Sequence, residues 1–203
     1  MQKLVTLLIL FSAFVWNGCK NEKSATLIEN EVVEKAEDVV FGSPSAETTV
    51  FMYASYNCTY CRLFFSETLP DLQEKYLRPG KLKLVVKFFD FGNNSAVLRS
   101  LQAASCISRF GDYEKFHPLL MVSPDVVFTK DFDQLLDDIM EDNSEIAECI
   151  LHNNNYEYLR SNLSEFKANE LTGTPTFVFG KMAFRGFLSI EEFEKILKKE
   201  FNF

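Results

Sequence analysis

Two spacings of hydrophobic and polar residues alternate along the chain, and each predicts a different kind of element. The β-branched and aromatic run TTVFMYAS (48–55) predicts a buried strand. Residues 62–77 place apolar side chains near helical spacing, and Pro70 should bend this helix because proline lacks a backbone donor. Residues 81–91 begin with alternating Lys and Leu and become wholly apolar, which predicts a second core strand.

The stretch from 95 to 170 changes to helical spacing almost throughout. Its predicted helices are 95–109, 113–121, 132–140, 146–151 and 156–170. No strand candidate in this stretch is longer than the three residues 126–128. We therefore expect a helical block between two groups of strands.

Strand signals return near the end of the chain, at 174–180 and 182–187. Ser189 and Glu192 then predict a capping box for a closing helix at 190–199. The order of elements is strand, helix, strand, helical block, strand, strand and helix. This order predicts an α/β fold with a helical insertion.

The first 18 residues have the pattern of an export signal. Lys3 gives a positive start, and residues 4–16 form a nearly unbroken apolar run. The run is shorter than the roughly 20 residues that a membrane-spanning helix needs, so a retained anchor helix is the weaker alternative. We predict that residues 1–18 are removed and that the protein is exported.

The residues that follow the apolar run resemble the processing site of a bacterial lipoprotein. Gly18 precedes Cys19, although Trp16 and Asn17 depart from the small and aliphatic residues that are usual there. The resemblance implies a lipid on Cys19, which anchors the protein to a bacterial membrane facing the periplasm or the cell exterior; ordinary cleavage is the alternative. Residues 19–38 are charged and poor in aromatics, and we interpret them as a flexible tether.

Composition and charge exclude some partners. The net charge is −8 and the chain has no basic run, which argues against nucleic acid and against electrostatic binding to anionic lipids. Membrane association should therefore come from an acyl chain. With 47% apolar residues and 21 phenylalanines, the chain can form the core of one domain that carries an insertion.

The candidate chemistry lies in NCTYC, where Cys58 and Cys61 follow the first predicted strand and begin the first helix. The backbone N–H groups of a helix N-terminus favour a thiolate, so Cys58 should have a lowered pKa and act as the nucleophile. Cys61, one turn later, should then resolve the mixed disulfide. Two inert, buried cysteines are the plainer alternative.

A zinc site is the other alternative, and it needs four ligands. The remaining candidate ligands are scattered singly: Cys106, Cys149, His117 and His152. We therefore predict no metal and interpret His117, in FHPLL, as a packed or surface histidine.

Three segments together resemble the DsbA-like thiol:disulfide oxidoreductases of the thioredoxin fold. They are FMYASYNCTYCRLFF, SLQAASCI and LTGTPTFVFG, and the resemblance covers about residues 40–200. It implies a thioredoxin fold with an inserted all-helical domain. The thioredoxin domain would comprise 39–91 and 171–203, and the helical insertion would comprise 92–170.

The resemblance also implies roles for single residues. Cys58 and Cys61 would form a redox-active disulfide, and Thr174 with a cis Pro175 would bind an extended substrate peptide beside it. A trans proline that merely starts an edge strand is the alternative. Similar placement in some relatives, together with the oxidising compartment, favours a structural disulfide between Cys106 and Cys149 over two buried free cysteines.

Two residue choices depart from the family's pattern. The dipeptide between the cysteines is Thr59-Tyr60, where the best-studied oxidases have Pro-His. Met52 stands six residues before the first cysteine, where many thioredoxin-fold proteins have a buried acid. Both differences affect the reduction potential and neither affects the fold.

The sequence thus predicts an extracytoplasmic thiol:disulfide oxidoreductase that exchanges the Cys58–Cys61 disulfide with cysteines of exported proteins. Residues 20–40 are too short for the dimerisation domain of isomerase relatives, so we expect an oxidase and a monomer. We expect no cofactor, and a separate membrane or soluble partner that recycles the cysteine pair. The alternative is a peptide-binding or chaperone-like lipoprotein whose disulfide is redox-inert.

Overall fold

A six-stranded mixed sheet forms the centre of the computed structural model, which describes residues 24–92, 94–123, 125–152 and 156–203. The predicted export signal and Cys19 lie outside the described residues. The strands follow one another across the sheet in the order β1-β6-β5-β3-β4-β2. Their bounds are β1 (Ala25–Leu27), β2 (Val39–Gly42), β3 (Thr48–Ala54), β4 (Leu82–Phe88), β5 (Thr176–Phe179) and β6 (Met182–Arg185).

Strands β3 and β4 lie side by side at the centre and run parallel, whereas the other neighbours pair antiparallel. Alternate residues of β3 face opposite sides because side chains alternate along a strand. Met52 belongs to the main apolar cluster on one face, and Tyr53 belongs to a smaller cluster on the other. The runs predicted at 48–55 and 81–91 are therefore confirmed as central strands.

The helical segment after β3 begins at the cysteine pair and is interrupted twice. It consists of α1 (Thr59–Leu63) and α2 (Leu69–Leu72), with π-helical turns at Phe64–Thr68 and Gln73–Leu77. Pro70 lies in the first turn of α2. Proline has no N–H to donate to the carbonyl four residues earlier, and the wider π-helical turn before it accommodates this missing hydrogen bond.

The inserted helices lie between β4 and β5, as the sequence pattern predicted. They are α3 (Ser95–Phe110), α4 (Tyr113–Val122), α5 (Lys130–Asp142), α6 (Ser144–His152) and α7 (Glu157–Ala168). The short strand candidate is wrong, because Val126–Phe128 forms a single 3₁₀ turn. Cys106 in α3 and Cys149 in α6 are joined by a disulfide with a Cα–Cα distance of 5.8 Å.

The closing helix α8 (Ile190–Phe201) begins with the predicted capping box, which is confirmed. The Ser189 hydroxyl accepts the N–H of Glu192, and the Glu192 carboxylate accepts the N–H of Ser189. Phe193 and Leu197 are fully buried against the same sheet face as Met52. The helix thus covers the face that carries the cysteine pair.

The prediction of a flexible tether at 19–38 is wrong for residues 24–38. Strand β1 pairs with β6, and Ala25 lies opposite Phe184. Ile28 and Val32 then bury their side chains in the smaller apolar cluster. Charged residues on either side of Ile28 and Val32 make this apolar pattern hard to recognise in the sequence. Residues 24–38, which we call the strap, cross the sheet and extend the domain before residue 39.

The described parts of the chain contain no helix that is both long and apolar enough to cross a membrane.

Candidate active site

The turn between β3 and α1 places Cys58 at the start of the helix. The Cys58 N–H donates to the Ser55 carbonyl at 3.1 Å, and the Cys58 carbonyl accepts the N–H of Arg62 at 3.1 Å. Cys58 is therefore the N-cap residue of α1, with an extended backbone and a half-buried side chain. Its sulfur lies where the free N–H groups of the first helical turn point.

Cys61 lies one turn further along and is completely buried. It belongs to the main apolar cluster, which also contains Met52. Between the two cysteines, Tyr60 exposes 59% of its surface. The pair therefore consists of one accessible and one inaccessible sulfur, both free thiols in this structure.

The surroundings shift the two pKa values in opposite directions. The hydrogen bond from the Cys61 thiol is the largest cause that lowers the pKa of Cys58 from 9.0 to about 5. The backbone N–H groups of Tyr60 and Cys61 act in the same direction, and partial burial opposes them. Burial raises the pKa of Cys61 well above its ordinary value. Near neutral pH, Cys58 is thus a thiolate and Cys61 a thiol.

Alkylation of Cys58 should follow this titration. With a pKa of about 5, the thiolate fraction rises as the pH rises through 5 and is already complete near pH 7. We expect the rate of iodoacetamide labelling at Cys58, mapped by mass spectrometry, to be half-maximal near pH 5. Cys61 should remain unlabelled in the same samples and serves as the internal control. A Cys58 rate that keeps rising up to pH 9 would contradict the lowered pKa.

The loop before β5 brings Thr174 and Pro175 against the cysteine pair. The Thr174–Pro175 bond is cis, and the Cys58 sulfur lies 3.1 Å from the Thr174 carbonyl oxygen. The protonated thiol can donate to this oxygen, and a hydrogen bond from the Thr174 side chain is a further cause that lowers the pKa of Cys58. Gly173 precedes them with φ +74°, a conformation that glycine adopts readily. The structure therefore brings together all four residues of the predicted exchange site.

A buried polar cluster behind the pair was not predicted from the sequence. The Nδ1 atom of His117 in α4 lies 2.8 Å from the Tyr56 hydroxyl and 3.1 Å from the Tyr113 hydroxyl, and the two hydroxyls contact each other. We call Tyr56, Tyr113 and His117 the hydroxyl–imidazole cluster. His117 is the packed histidine of the two predicted alternatives. Tyr113 and His117 are four residues apart, a spacing that puts them on one helix face and could have revealed this pair, though not its contact with Tyr56.

Buried charges lie on the opposite face of the sheet. The Lys87 Nζ atom is 3.0 Å from the Asp38 carboxylate and 3.4 Å from that of Glu165, and the side chains of Lys87 and Asp38 are both 0% exposed. The Tyr158 hydroxyl donates to Asp38, and the Tyr53 hydroxyl donates to Glu165, each at 2.6 Å. These carboxylates join the strap to β4 and α7.

The disulfide Cys106–Cys149 is not part of the exchange site, because it joins two helices of the insertion. His152 is exposed at the end of α6, and its Nδ1 atom lies 3.0 Å from the Glu148 carbonyl oxygen. Within the described ranges, no three His, Cys, Asp or Glu side chains converge on a position that could hold a metal ion.

Comparison with known proteins places these observations in a family. The chain matches the family described as Thioredoxin over residues 34–199. A protein of Rickettsia bellii that carries the name of a protein-disulfide oxidoreductase is 26% identical over 149 residues, which are 69% of this chain and 56% of that protein. The matched region thus spans little more than half the length of this relative.

Solved structures share the architecture. A variant of Wolbachia pipientis alpha-DsbA1 superposes with a TM-score of 0.67 at 18% identity, covering 84% of this chain and 94% of that one. Oxidised BdbD of Bacillus subtilis superposes with a TM-score of 0.64 at 15% identity, covering 90% and 100%. At these identities the likeness concerns the fold, and it confirms the predicted thioredoxin fold with an inserted all-helical domain.

Proposed function

The chain belongs to the thioredoxin family, and from this premise we propose that it is an extracytoplasmic thiol:disulfide oxidoreductase. It exchanges the Cys58–Cys61 disulfide with cysteines of exported proteins. The observation that carries the proposal is the asymmetry of the two thiols, since Cys58 is half-exposed with a pKa of about 5 and Cys61 is buried with a raised pKa. An accessible thiolate beside a protected thiol is what disulfide exchange requires.

The exchange has a defined order of bonds. A substrate thiolate attacks the Cys58 sulfur of the oxidised pair, a mixed disulfide forms, and Cys61 leaves as the reduced sulfur. A second substrate thiolate then attacks the substrate sulfur of the mixed disulfide and releases Cys58 as a thiolate. The substrate gains a disulfide, and the two electrons remain on the dithiol pair. Thr174 and Pro175 lie beside Cys58, where they would bind the substrate backbone.

Oxidation is the favoured direction of transfer. The lowered pKa of Cys58 stabilises the reduced form of the pair relative to the disulfide. This stabilisation is greatest above pH 9, declines as the pH falls, and is lost below about pH 5. At neutral pH much of this stabilisation is present, so the disulfide is readily given up. The Thr59-Tyr60 dipeptide lacks the histidine of the best-studied oxidases, so we propose an oxidant of intermediate strength.

Equilibration with glutathione tests this proposal. We expect the Cys58–Cys61 pair to have a reduction potential less negative than about −180 mV, the value typical of protein disulfide isomerase. The oxidised protein should also introduce disulfides into a reduced, unfolded protein. A potential near that of thioredoxin, about −270 mV, would identify a reductant instead. A pair that never equilibrates would favour the peptide-binding or chaperone-like alternative.

The proposed location rests on the sequence of the first 19 residues. We propose that residues 1–18 are removed and that a lipid on Cys19 anchors the protein at a bacterial membrane, in the periplasm or at the cell exterior. The domains are proposed as a thioredoxin domain of 39–91 and 171–203, extended at its start by residues 24–38, with a helical insertion of 92–170. The protein would act as a monomer and would depend on a separate redox partner for recycling.

A further inference from the structure

We infer that the hydroxyl–imidazole cluster positions Cys58 for the exchange proposed above. It does so by holding the turn before α1 in a fixed place relative to helix α4 of the insertion. This inference rests on the proposed function, because the property that it explains is the chemistry of the Cys58 sulfur. Tyr56, Tyr113 and His117 would be positioning residues, since their hydroxyl and imidazole groups bond to one another and act on the reacting sulfur only through the turn.

Tyr56 is held at both ends. Its carbonyl oxygen accepts a hydrogen bond from the Arg62 guanidinium at 3.0 Å, and its hydroxyl bonds to the cluster in α4. Between these two anchors, the turn closes through the N–H of Cys58 and the carbonyl of Ser55. The position of Cys58 at the N-terminus of α1 therefore depends on the two hydrogen bonds that hold Tyr56, two residues earlier.

Aromatic rings surround the hydroxyl–imidazole cluster, so its polar groups are bonded within an otherwise apolar space. The Tyr56 ring contacts Phe65 and Phe88, and the His117 ring contacts Phe41 and Phe65. Apolar side chains could fill this aromatic space without the cost of removing polar groups from water. Hydrogen bonds are directional, however, and a fully bonded buried set specifies one arrangement more sharply than packing does.

The protons of the cluster balance when His117 is neutral. Its Nδ1 atom accepts one phenol hydrogen, and the second phenol donates to the oxygen of the first. Burial lowers the pKa of His117 to about 4, whereas Cys58 titrates near 5. The cluster therefore stays neutral over most of the range in which Cys58 ionises, and it acts on Cys58 through position rather than through charge.

The test compares Tyr56→Phe with Tyr158→Phe in the reduced full chain. Each change removes one buried hydroxyl, but Tyr158 bonds to Asp38 on the opposite face of the sheet. In Tyr56→Phe we expect the midpoint of thiolate formation at Cys58, followed by ultraviolet absorbance, to rise by about half a pH unit or more. The equilibrium constant for oxidation of glutathione by the pair should fall about threefold or more. Tyr158→Phe should match the wild type in both measurements.

Tyr113→Phe removes the hydroxyl of the half-buried Tyr113. It should raise the Cys58 midpoint and lower the glutathione equilibrium constant by smaller amounts than Tyr56→Phe does. This milder variant keeps the test decisive if Tyr56→Phe does not fold. If the cluster variants unfold at lower urea but keep the wild-type midpoint and glutathione constant, the cluster only stabilises the fold and the inference is overturned. An equal shift in Tyr158→Phe would overturn it as well. The proposed function would fail separately, through a wild-type protein that does not oxidise glutathione.

Discussion

Replacing Cys58 by Ser is expected to abolish disulfide exchange, whereas replacing Cys61 by Ser is expected to trap mixed disulfides with substrate proteins. Cys58 carries the accessible sulfur, and a hydroxyl in its place cannot form a disulfide. In Cys61→Ser the Cys58 thiolate still attacks a substrate disulfide, but no buried sulfur is present to release the substrate. Non-reducing electrophoresis after incubation with an oxidised protein substrate measures both outcomes.

The matched control is Cys61→Ala. The Cys61 thiol lowers the pKa of Cys58 by donating a hydrogen bond, a serine hydroxyl can donate the same bond, and alanine cannot. We therefore expect Cys58 to be alkylated faster at pH 6 in Cys61→Ser than in Cys61→Ala, although both lack the resolving sulfur. If neither Cys61 variant forms a mixed disulfide, the pair does not exchange with proteins and the binding-only alternative gains support.

Replacing Lys87 by Met is expected to destabilise the fold by about 3 to 5 kcal/mol, because it leaves the buried Asp38 carboxylate without its cation. Glu165, the second acid beside Lys87, would lose the same partner. Urea unfolding followed by circular dichroism measures the change, and the denaturant dependence should stay constant if only stability is affected. The Cys106–Cys149 disulfide must be kept oxidised in every sample.

Lys83→Met provides the control on the same strand. Lys83 also pairs with an acid of the strap, Glu34, but that pair is partly exposed and should contribute less than about 1 kcal/mol. The double variant Lys87→Met, Asp38→Asn should lose less stability than the sum of its single changes, because it leaves no charge unpaired between them. Equal losses in Lys87→Met and Lys83→Met would contradict the buried pairing.

The sequence was sufficient for the elements whose side chains repeat regularly. Strands β3 and β4, the inserted helices and the capping box of α8 have local patterns that tertiary contacts reinforce. Cys58 and Cys61 could be singled out from the sequence, since they follow a predicted strand and begin a predicted helix, whereas the role of Thr174 and Pro175 was implied only by the family resemblance. Their closeness in space came from the family resemblance, because the register of β3 and β5 cannot be deduced from local periodicity.

Contacts between distant parts of the chain explain what the sequence did not predict. Ile28 and Val32 are the two buried apolar side chains of the strap and stand among charged residues, while its buried acid Asp38 pairs with Lys87, 49 positions away. Composition therefore suggested a solvated tether. Likewise, Tyr56 meets His117 at a separation of 61 residues, and no local pattern records such a pair.

The direction of β1 has a consequence for how the protein would be oriented at a membrane. Strand β6 ends at Arg185 beside Thr176, close to the cysteine pair, and β1 runs antiparallel to β6, so Ala25 lies toward the active-site end of the sheet. The six residue steps from Cys19 to Ala25 can span at most about 20 Å. A lipid on Cys19 would therefore hold the end of the sheet that carries Cys58 within a short distance of the bilayer surface, so that substrate proteins would meet the thiolate beside the membrane.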